Sequence, residues 1–366
     1  MAHTVLFVET GSGFGGSAVC LDTLLHFMDR AAYRPMVAYV GKGLAIERIQ
    51  KQRVPLVLLH RGFAWLELVW LILRHRVDVV HANNELYSHC ATILAACATG
   101  RPCVVHMRGI RSLTRLERVL IPLVAHFIVI SDVGRRHYAR EGIPASRSST
   151  IYDGIDLQLY NGHLDGSGIR RTLGVHDDDV LVGIVSRLVP MKGHVDFLDA
   201  MTQVMRELPS VHGVIIGGDP EPGRPFLRQL LQLTRSRGLG KRITFLGWRD
   251  DVPTVTAALD VAVQASRYIE GFGTSIMEAM ALGKPVVATA AGGVTELMEG
   301  DVTGLLVPVG DTLALSAAIR RLAAHPEQRR RFGQAGRRRI EQRFDQRQST
   351  RRIEALYGRL INGQRT

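Results

Sequence analysis

The sequence predicts an α/β protein made of two doubly wound parallel-sheet domains in tandem. Short apolar runs alternate with helical patterns along the chain, which is typical of parallel strands joined by crossover helices. The runs are continuously apolar, as in strands that are buried on both faces of a sheet. The 366 residues, 46% of them hydrophobic, are enough for two domains that each bury a core.

The first domain is predicted from valine-rich apolar runs that are too short for helices, with longer helical patterns between them. Strands are expected at residues 4–8, 36–40, 56–59, 77–81, 103–106 and 127–131. Helices are expected at residues 18–28, 44–52, 65–74 and 88–98.

A polar stretch at residues 161–168 precedes a second series of the same kind. Its strands are expected at residues 180–186, 213–217, 243–245, 261–264, 285–288 and 304–307, and its helices at 195–207, 226–237, 252–259, 275–282 and 312–324. We therefore expect one domain over residues 1–160 and another over 165–346. A last helix, at about 347–366, is expected to pack back on the first domain.

The chain is strongly basic, with 46 Lys and Arg against 34 Asp and Glu. Residues 326–366 alone hold twelve arginines and four acids. A basic excess favours anionic partners such as nucleotides, nucleic acid or an anionic membrane. A nucleic-acid-binding protein is the remote alternative, because aromatic residues are only 6% and are not interleaved with a basic patch. We expect no nucleic-acid partner.

The four cysteines, Cys20, Cys90, Cys97 and Cys103, form no CxxC pair. We expect reduced thiols, each a buried small hydrophobe, in a cytoplasmic protein. The first residues predict a strand and not a signal peptide. No apolar stretch approaches the ~18 residues of a membrane span, so we expect a protein that is soluble or lies on a membrane surface.

The segment 267–283 carries the most specific chemistry. Glu270 precedes the turn Gly271-Phe272-Gly273, which lets the backbone approach a ligand closely. Thr274 and Ser275 are expected to cap the helix that follows, whose first N–H groups favour an anion. Glu278 lies on that helix. The pattern predicts a phosphate or sugar site; a helix start with two surface glutamates is the alternative.

A glycine-rich loop follows the first predicted strand. Gly11, Gly13 and Gly16 satisfy the G-x-G-x-x-G pattern of dinucleotide-binding proteins. Those proteins carry an acid at the end of the second strand, and here that strand ends at Gly41 without one. This absence disfavours a dehydrogenase. A loop over a phosphate or sugar and a plain strand-to-helix turn both remain open.

Three further candidates follow predicted strands. Arg187 and Lys192 lie between a strand and a helix, where they would neutralise a diphosphate; a solvated basic loop is the alternative. His106 ends a strand and could polarise a substrate hydroxyl, or it is a core histidine. The acids at 177–179 and 250–251 precede a strand and a helix, so we expect no metal site.

The chain resembles the retaining glycosyltransferases of family 4, the group 1 family with the GT-B fold. The resemblance runs over nearly the full length and is strongest at residues 181–309. It is carried, in order, by GSGFGGS, IYDGID, SRLVPMKG, FLGWRDDVP, EGFGTSIMEAMALGKPVVAT and AGGVTELMEGDVTGLLVPVGD. It implies two Rossmann-like domains facing across a cleft, the first for the acceptor and the second for the nucleotide-sugar donor.

The resemblance also implies roles. Arg187 and Lys192 would hold the donor diphosphate, Glu270 would contact the transferred sugar, and Glu278 would bind the ribose. The remaining implied contacts are the backbone of Gly271, Phe272, Gly273, Thr274 and Ser275 to sugar and phosphate, Gly15 and Gly16 over the phosphates, and His106 near the sugar. Two departures are Ser17-Ala18, where many relatives carry an acid, and Asp153 in place of an asparagine.

The implied activity is retaining transfer of a sugar from a UDP- or GDP-sugar to a glycan or lipid-linked acceptor, in envelope polysaccharide or glycolipid biosynthesis. It would use no cofactor beyond the nucleotide-sugar and no metal. A nucleotide-sugar epimerase or hydrolase of the same fold is the alternative, and it would turn over donor alone. Residues 64–76 and 111–126 combine apolar residues with arginine, as an interfacial helix on the inner face of an anionic membrane does; packing on the sheet is the alternative.

Overall fold

A computed structural model describes residues 2–10, 16–40, 45–60 and 62–363. Contacts divide the chain into two compact units. The first comprises Met1–Gly154 with Gln346–Thr366, and the second comprises Ile155–Asp345. The predicted first domain extended to residue 160, whereas the contacts assign residues from 155 onward to the second unit.

The first unit is a seven-stranded parallel sheet in the order β3-β2-β1-β4-β5-β6-β7. Its strands are β1 (His3–Glu9), β2 (Tyr33–Val40), β3 (Leu56–Leu59), β4 (Val79–Ala82), β5 (Cys103–Met107), β6 (His126–Val129) and β7 (Ser148–Thr150). Its helices include α1 (Gly16–Phe27), α2 (Ala45–Lys51), α3 (Ala64–Arg74), α4 (Cys90–Ala98), α5 (Arg115–Leu120) and α6 (Asp132–Arg140), with 3-10 turns at Leu86–His89, Ile121–Leu123 and Ala145–Arg147.

The second unit is a six-stranded parallel sheet in the order β10-β9-β8-β11-β12-β13. Its strands are β8 (Val180–Val185), β9 (Val211–Ile216), β10 (Ile243–Gly247), β11 (Val261–Gln264), β12 (Val286–Thr289) and β13 (Gly304–Val307). Its helices are α7 (Ser167–Leu173), α8 (His194–Glu207), α9 (Pro225–Ser236), α10 (Val252–Ala257), α11 (Thr274–Ala281), α12 (Val294–Leu297), α13 (Thr312–Ala324) and α14 (Pro326–Arg343).

Both sheets are doubly wound, so the predicted fold class is confirmed. In each unit the strand order reverses beside the first strand, which creates a crevice beyond the carboxyl ends of two adjacent strands. In the second unit these strands are β8 and β11. Strand β7 was missed by the sequence reading, because three polar residues carry no apolar signal. The predicted helix at 44–52 is described from residue 45, and Leu44 lies outside the described residues.

The last helix, α15 (Gln346–Ile361), belongs to the first unit. Its buried residues Ile353, Leu356 and Tyr357 join the core under α1. The hydroxyl of Tyr33 donates to the carbonyl of Glu354 at 2.8 Å. The end of the chain therefore completes one face of the first sheet.

Three arginines of α14 stabilise the ends of other helices. Arg329, Arg337 and Arg339 each donate to carbonyl oxygens in the last turn of another helix, those of α13, α11 and α12 respectively. These carbonyls lack partners within their own helices, and a cation there complements the helix dipole. Part of the basic excess therefore holds helix ends and is not available to a partner.

The cysteines are all free thiols. Cys20 and Cys103 are buried, and Cys90 is half-buried. Cys97 is exposed, so the expectation that each cysteine is a buried hydrophobe is wrong for this residue, which lies on the outer face of α4.

Candidate active site

The loops that follow β8 and β11 are joined by short contacts. Gly193 has a φ of 71°, and a Cβ at this position would lie 1.8 Å from the carbonyl oxygen of Ala265. Only glycine allows this approach. The N–H of Arg267 donates to the carbonyl of Met191 at 2.9 Å. The two loops therefore form one surface at the crevice of the second unit.

The Glu270 carboxylate lies at the centre of this surface and is only 6% exposed. Its Oε1 accepts from Lys192 Nζ at 2.6 Å and from the Ser266 hydroxyl at 2.5 Å. Gln264 Nε2 lies 3.5 Å from the same oxygen, and Oε2 accepts from the Tyr268 hydroxyl at 3.2 Å. The carboxylate is thus fixed in position by donors on both of its oxygens.

Lys192 stays a cation in this setting. Burial alone would lower the pKa of Lys192, but the nearby Glu270 and Tyr268 outweigh it and the pKa is raised. Burial, followed by the charge of Glu270, raises the pKa of Tyr268. At neutral pH the ammonium, the carboxylate and the protonated phenol therefore lie together.

Helix α11 begins without a side-chain cap. Gly273 occupies the N-cap position at a φ of 104°, so the prediction that Thr274 and Ser275 cap this helix is wrong. Among the described residues, no acceptor contacts the N–H of Thr274 or Ser275. Free N–H groups at a helix start favour an anion. Gly271 and Phe272 precede the start of this helix. The ring centroids of Phe272 and Phe344 lie 5.3 Å apart.

Two other predicted residues lie on the same elements. Arg187 follows β8 and is exposed, and within the described ranges its guanidinium contacts no acceptor. Glu278 is half-buried on α11. The structure therefore brings Lys192 and Glu270 into contact. Arg187 lies on the same loop as Lys192, and Glu278 lies on the helix that follows Glu270. The ligand contacts of all four stay predictions.

His106 lies in β5 of the first unit and is 1% exposed. Its Nδ1 is 3.4 Å from Arg108, and its Nε2 has no hydrogen-bond partner among the described residues. Burial, together with Arg108 and His81, holds the pKa of His106 well below its usual range. The imidazole is therefore neutral, with one nitrogen unused, and its catalytic role stays a prediction.

The sequence reading missed an ion pair beside His106. Arg108 pairs with Asp153 and donates to Asn83 Oδ1 at 2.9 Å. Asp153, which stands in place of an asparagine of the family, is buried. Arg108 directly follows β5, where polar residues after a strand are candidates for a site, but nothing in the local sequence pairs it with Asp153.

The glycine-rich loop is only partly described. Gly16 begins α1. Gly11, Gly13 and Gly15 lie outside the described residues, so the predicted contact of Gly15 with phosphate stays a prediction.

The two acidic runs lie where the sequence reading placed them. Residues 177–179 form a turn before β8, at the opposite edge of the sheet from Lys192, and Asp251 is held by Arg249 at 2.6 Å before α10. In the described part of the chain, no group of three or more His, Cys, Asp or Glu side chains could hold a metal ion.

Two family models match the chain. The model for glycosyl transferases group 1 matches residues 167–339, and the model for glycosyltransferase family 4 matches residues 14–159. The chain belongs to the group 1, family 4 glycosyltransferases. The first model spans the loops of Lys192 and Glu270, and the second spans His106.

Curated relatives match part of the chain. A lipopolysaccharide core biosynthesis mannosyltransferase, LpsB of Rhizobium meliloti, is 32% identical over 219 residues, which are 58% of this chain and 61% of that protein. A D-inositol 3-phosphate glycosyltransferase of Mycobacterium marinum is 32% identical over 176 residues, 48% of this chain and 36% of that one. The matches thus span less than two thirds of these relatives.

A solved structure matches nearly the whole chain. Anabaena HepE, crystallised in complex with UDP-glucose, has a TM-score of 0.88 and 27% identity, and the match covers 97% of this chain and 99% of HepE. The same protein was also crystallised with UDP and glucose.

Proposed function

We propose that this chain is a retaining, metal-independent glycosyltransferase. It would move a sugar from a UDP- or GDP-sugar to a glycan or lipid-linked acceptor in envelope polysaccharide or glycolipid biosynthesis. The observation that carries the proposal is the contact between Lys192 and Glu270 beside the uncapped start of α11. A cation and free N–H groups suit a diphosphate, and a fixed carboxylate suits sugar hydroxyls.

The donor and acceptor classes are supported by relatives. HepE binds UDP and UDP-glucose in its crystals, which favours a UDP-sugar donor here. LpsB acts in lipopolysaccharide core biosynthesis, which favours an envelope glycan as acceptor. We extend the donor class from HepE and the acceptor class from LpsB to this chain.

The proposed reaction needs positive charge where the nucleotide leaves. The bond from the anomeric carbon to the diphosphate oxygen breaks, and its electron pair stays on the diphosphate. Lys192, Arg187 and the N–H groups of Thr274 and Ser275 would stabilise that charge. Glu270 would hold the sugar and offset positive charge at its ring.

Retention of configuration follows if the acceptor attacks from the face of the leaving group. The acceptor oxygen bonds to the anomeric carbon, and its proton passes to the leaving diphosphate oxygen. His106 is the predicted catalytic residue of the first unit. Its Nδ1 accepts from Arg108, so the proton of the neutral imidazole is on Nε2, which is free to donate a hydrogen bond.

A thermal-shift panel tests the proposal. UDP-, GDP- and ADP-sugars are added with and without EDTA, because a ligand that binds the folded state raises its apparent stability. One nucleotide class should raise the Tm equally in both conditions. No stabilisation by any of them would contradict the proposal, and loss of the effect in EDTA would contradict metal independence. In an activity assay, turnover of donor without acceptor would favour the hydrolase or epimerase.

We further propose that the first unit docks on an anionic membrane surface. Helix α3 carries exposed apolar residues at helical spacing, Leu66, Trp70 and Leu73, and the exposed Phe63 precedes them at the N-cap. Helix α3 packs on α4 and α4 on α5, and a second exposed apolar set follows at Leu116, Val119 and Leu123. No helix among the described residues is long and apolar enough to cross a membrane.

The charges near this face suit anionic lipid. Arg74, Arg76, Arg101 and Arg115 lie near α3, α4 and α5 in the sequence, and all four are exposed without an acidic partner among the described residues. Arg111 and Arg118, which the sequence reading included, pair with Glu117 and Glu141 and are not free. An apolar stripe bordered by unpaired arginines is typical of interfacial binding.

A further inference from the structure

The phenol of Tyr268 closes a ring of hydrogen bonds with the two central charges of the candidate site. Lys192 Nζ lies 3.1 Å from Tyr268 Oη and 2.6 Å from Glu270 Oε1. Tyr268 Oη lies 3.2 Å from Glu270 Oε2. The phenol therefore accepts from the ammonium and donates to the carboxylate, so each of the three groups contacts the other two.

The ring leaves one donor of Lys192 unused. An ammonium has three N–H groups, and two of them are directed at Tyr268 and Glu270. Because the ammonium nitrogen is tetrahedral, these two hydrogen bonds also fix the direction of the third N–H group. The ammonium lies 5.1 Å from the centre of the Tyr268 ring, on the side of its hydroxyl.

The Glu270 carboxylate also depends on this arrangement. Its Oε1 has donors from Lys192 and Ser266, whereas the hydroxyl of Tyr268 lies on Oε2. A diphosphate that draws on the charge of Lys192 would weaken the hold of that cation on Glu270. The phenol is neutral, so its hydrogen bond to Oε2 would persist.

We propose that Tyr268 is a positioning residue that couples the donor diphosphate to the sugar-binding carboxylate. It aims the third N–H of Lys192 at the diphosphate, and its hydrogen bond to Oε2 keeps Glu270 oriented toward the sugar. Tyr268 acts through these two groups and touches none of the reacting atoms. This inference rests on the proposed function and adds a residue to it.

Steady-state kinetics test the inference with Tyr268→Phe, which keeps the ring and removes the hydroxyl. We expect kcat to fall about ten-fold or more, because a hydrogen bond to a charged group is lost, while the KM for donor changes less than about three-fold. Tyr87→Phe removes an exposed hydroxyl elsewhere and should match the wild type. An unchanged kcat in Tyr268→Phe, or a loss confined to KM, would overturn the inference.

Crystals soaked with inorganic pyrophosphate test the positioning role of Tyr268 without an activity assay. Lys192 Nζ should contact the pyrophosphate while it keeps Tyr268 Oη and Glu270 Oε1. Release of either contact, or pyrophosphate that avoids Lys192, would overturn the inference. If this arrangement is found and the protein transfers no sugar, the proposed function fails and the positioning role stands.

Discussion

Lys192 Nζ lies 2.6 Å from Glu270 Oε1, although the two residues are 78 positions apart in the chain. Each follows one of the two strands at the switch point of the second sheet. The contact joins a group suited to a diphosphate to a group suited to a sugar. A nucleotide-sugar is a molecule in which those two parts are adjacent.

Replacement of Glu270 should abolish transfer and preserve nucleotide binding. Glu270→Gln keeps the size of the side chain but removes its charge, so we expect the transfer rate to fall by about 100-fold or more. The affinity for UDP or GDP should be kept or improved, because Lys192 loses its counter-ion. Transfer assays and calorimetry check this, with Glu327→Gln on α14 as a control. Near-normal turnover in Glu270→Gln would remove the assigned role.

The two cations should act mainly on the nucleotide. Arg187→Ala should weaken donor binding about ten-fold, the cost of a charge-assisted hydrogen bond. Lys192→Ala should weaken it at least as much and should also lower kcat, because Glu270 loses its cation. Titration calorimetry with nucleoside diphosphate measures both, and Arg235→Ala, an exposed arginine on α9, is the control. Wild-type affinity in both site variants would place the diphosphate elsewhere.

Arg337 should stabilise the second unit. It donates to the carbonyl of Tyr160 at 2.6 Å and to that of Ala281 at the end of α11. Arg337→Ala should lower the free energy of unfolding by about 1–3 kcal/mol. The neighbouring Arg338→Ala should change it by less than about 0.5 kcal/mol, because this side chain is exposed. Chemical denaturation of both variants checks this, and equal losses would contradict the helix-end role.

Acid should destabilise the first unit through buried histidines. Burial lowers the pKa of His89 to about 3, against an unfolded value near 6.5. The unfolded chain therefore binds the proton first, so stability is full above about pH 6.5 and falls as the pH drops toward 3. At pH 5 the burial of His89 lowers the free energy of unfolding by about 2 kcal/mol relative to neutral pH.

A denaturation series at pH 7 and pH 5 measures that contribution. The loss between the two pH values should be smaller in His89→Gln than in the wild type. Replacement of the exposed His163 by glutamine should leave the loss unchanged. The same loss in His89→Gln as in the wild type would show that another group is responsible.

The exposed stripe on α3 should be needed for membrane docking. Trp70 is 60% exposed, so Trp70→Glu should keep the fold and remove binding to anionic liposomes in a flotation assay. Leu313→Glu, at an exposed leucine of the second unit, should float like the wild type. Equal recovery of the wild type with anionic and neutral lipid would contradict the docking proposal.

The parallel sheets could be predicted from the sequence because buried strands are continuously apolar. The placement of Lys192 and Glu270 after strands could be predicted for the same reason. Their contact could not, since it depends on β8 lying beside β11. That pairing is made between strands far apart in the chain, and local patterns do not encode it.

Tyr268 and Ser266 were missed although a signal exists. Gln264, Ser266, Tyr268 and Glu270 alternate at a spacing of two, which places side chains on one side of an extended segment. The ion pair of Arg108 and Asp153 was missed for a different reason. It joins the end of β5 to the segment after β7, a short strand without an apolar signal.

A crystal structure with a bound UDP-sugar or GDP-sugar is the most direct measurement of the central claim. The pyrophosphate should lie within about 3 Å of Lys192 Nζ, the Arg187 guanidinium and the N–H groups of Thr274 and Ser275, with the sugar hydroxyls on Glu270. A pyrophosphate bound away from these groups, or held by a metal ion in their place, would contradict it.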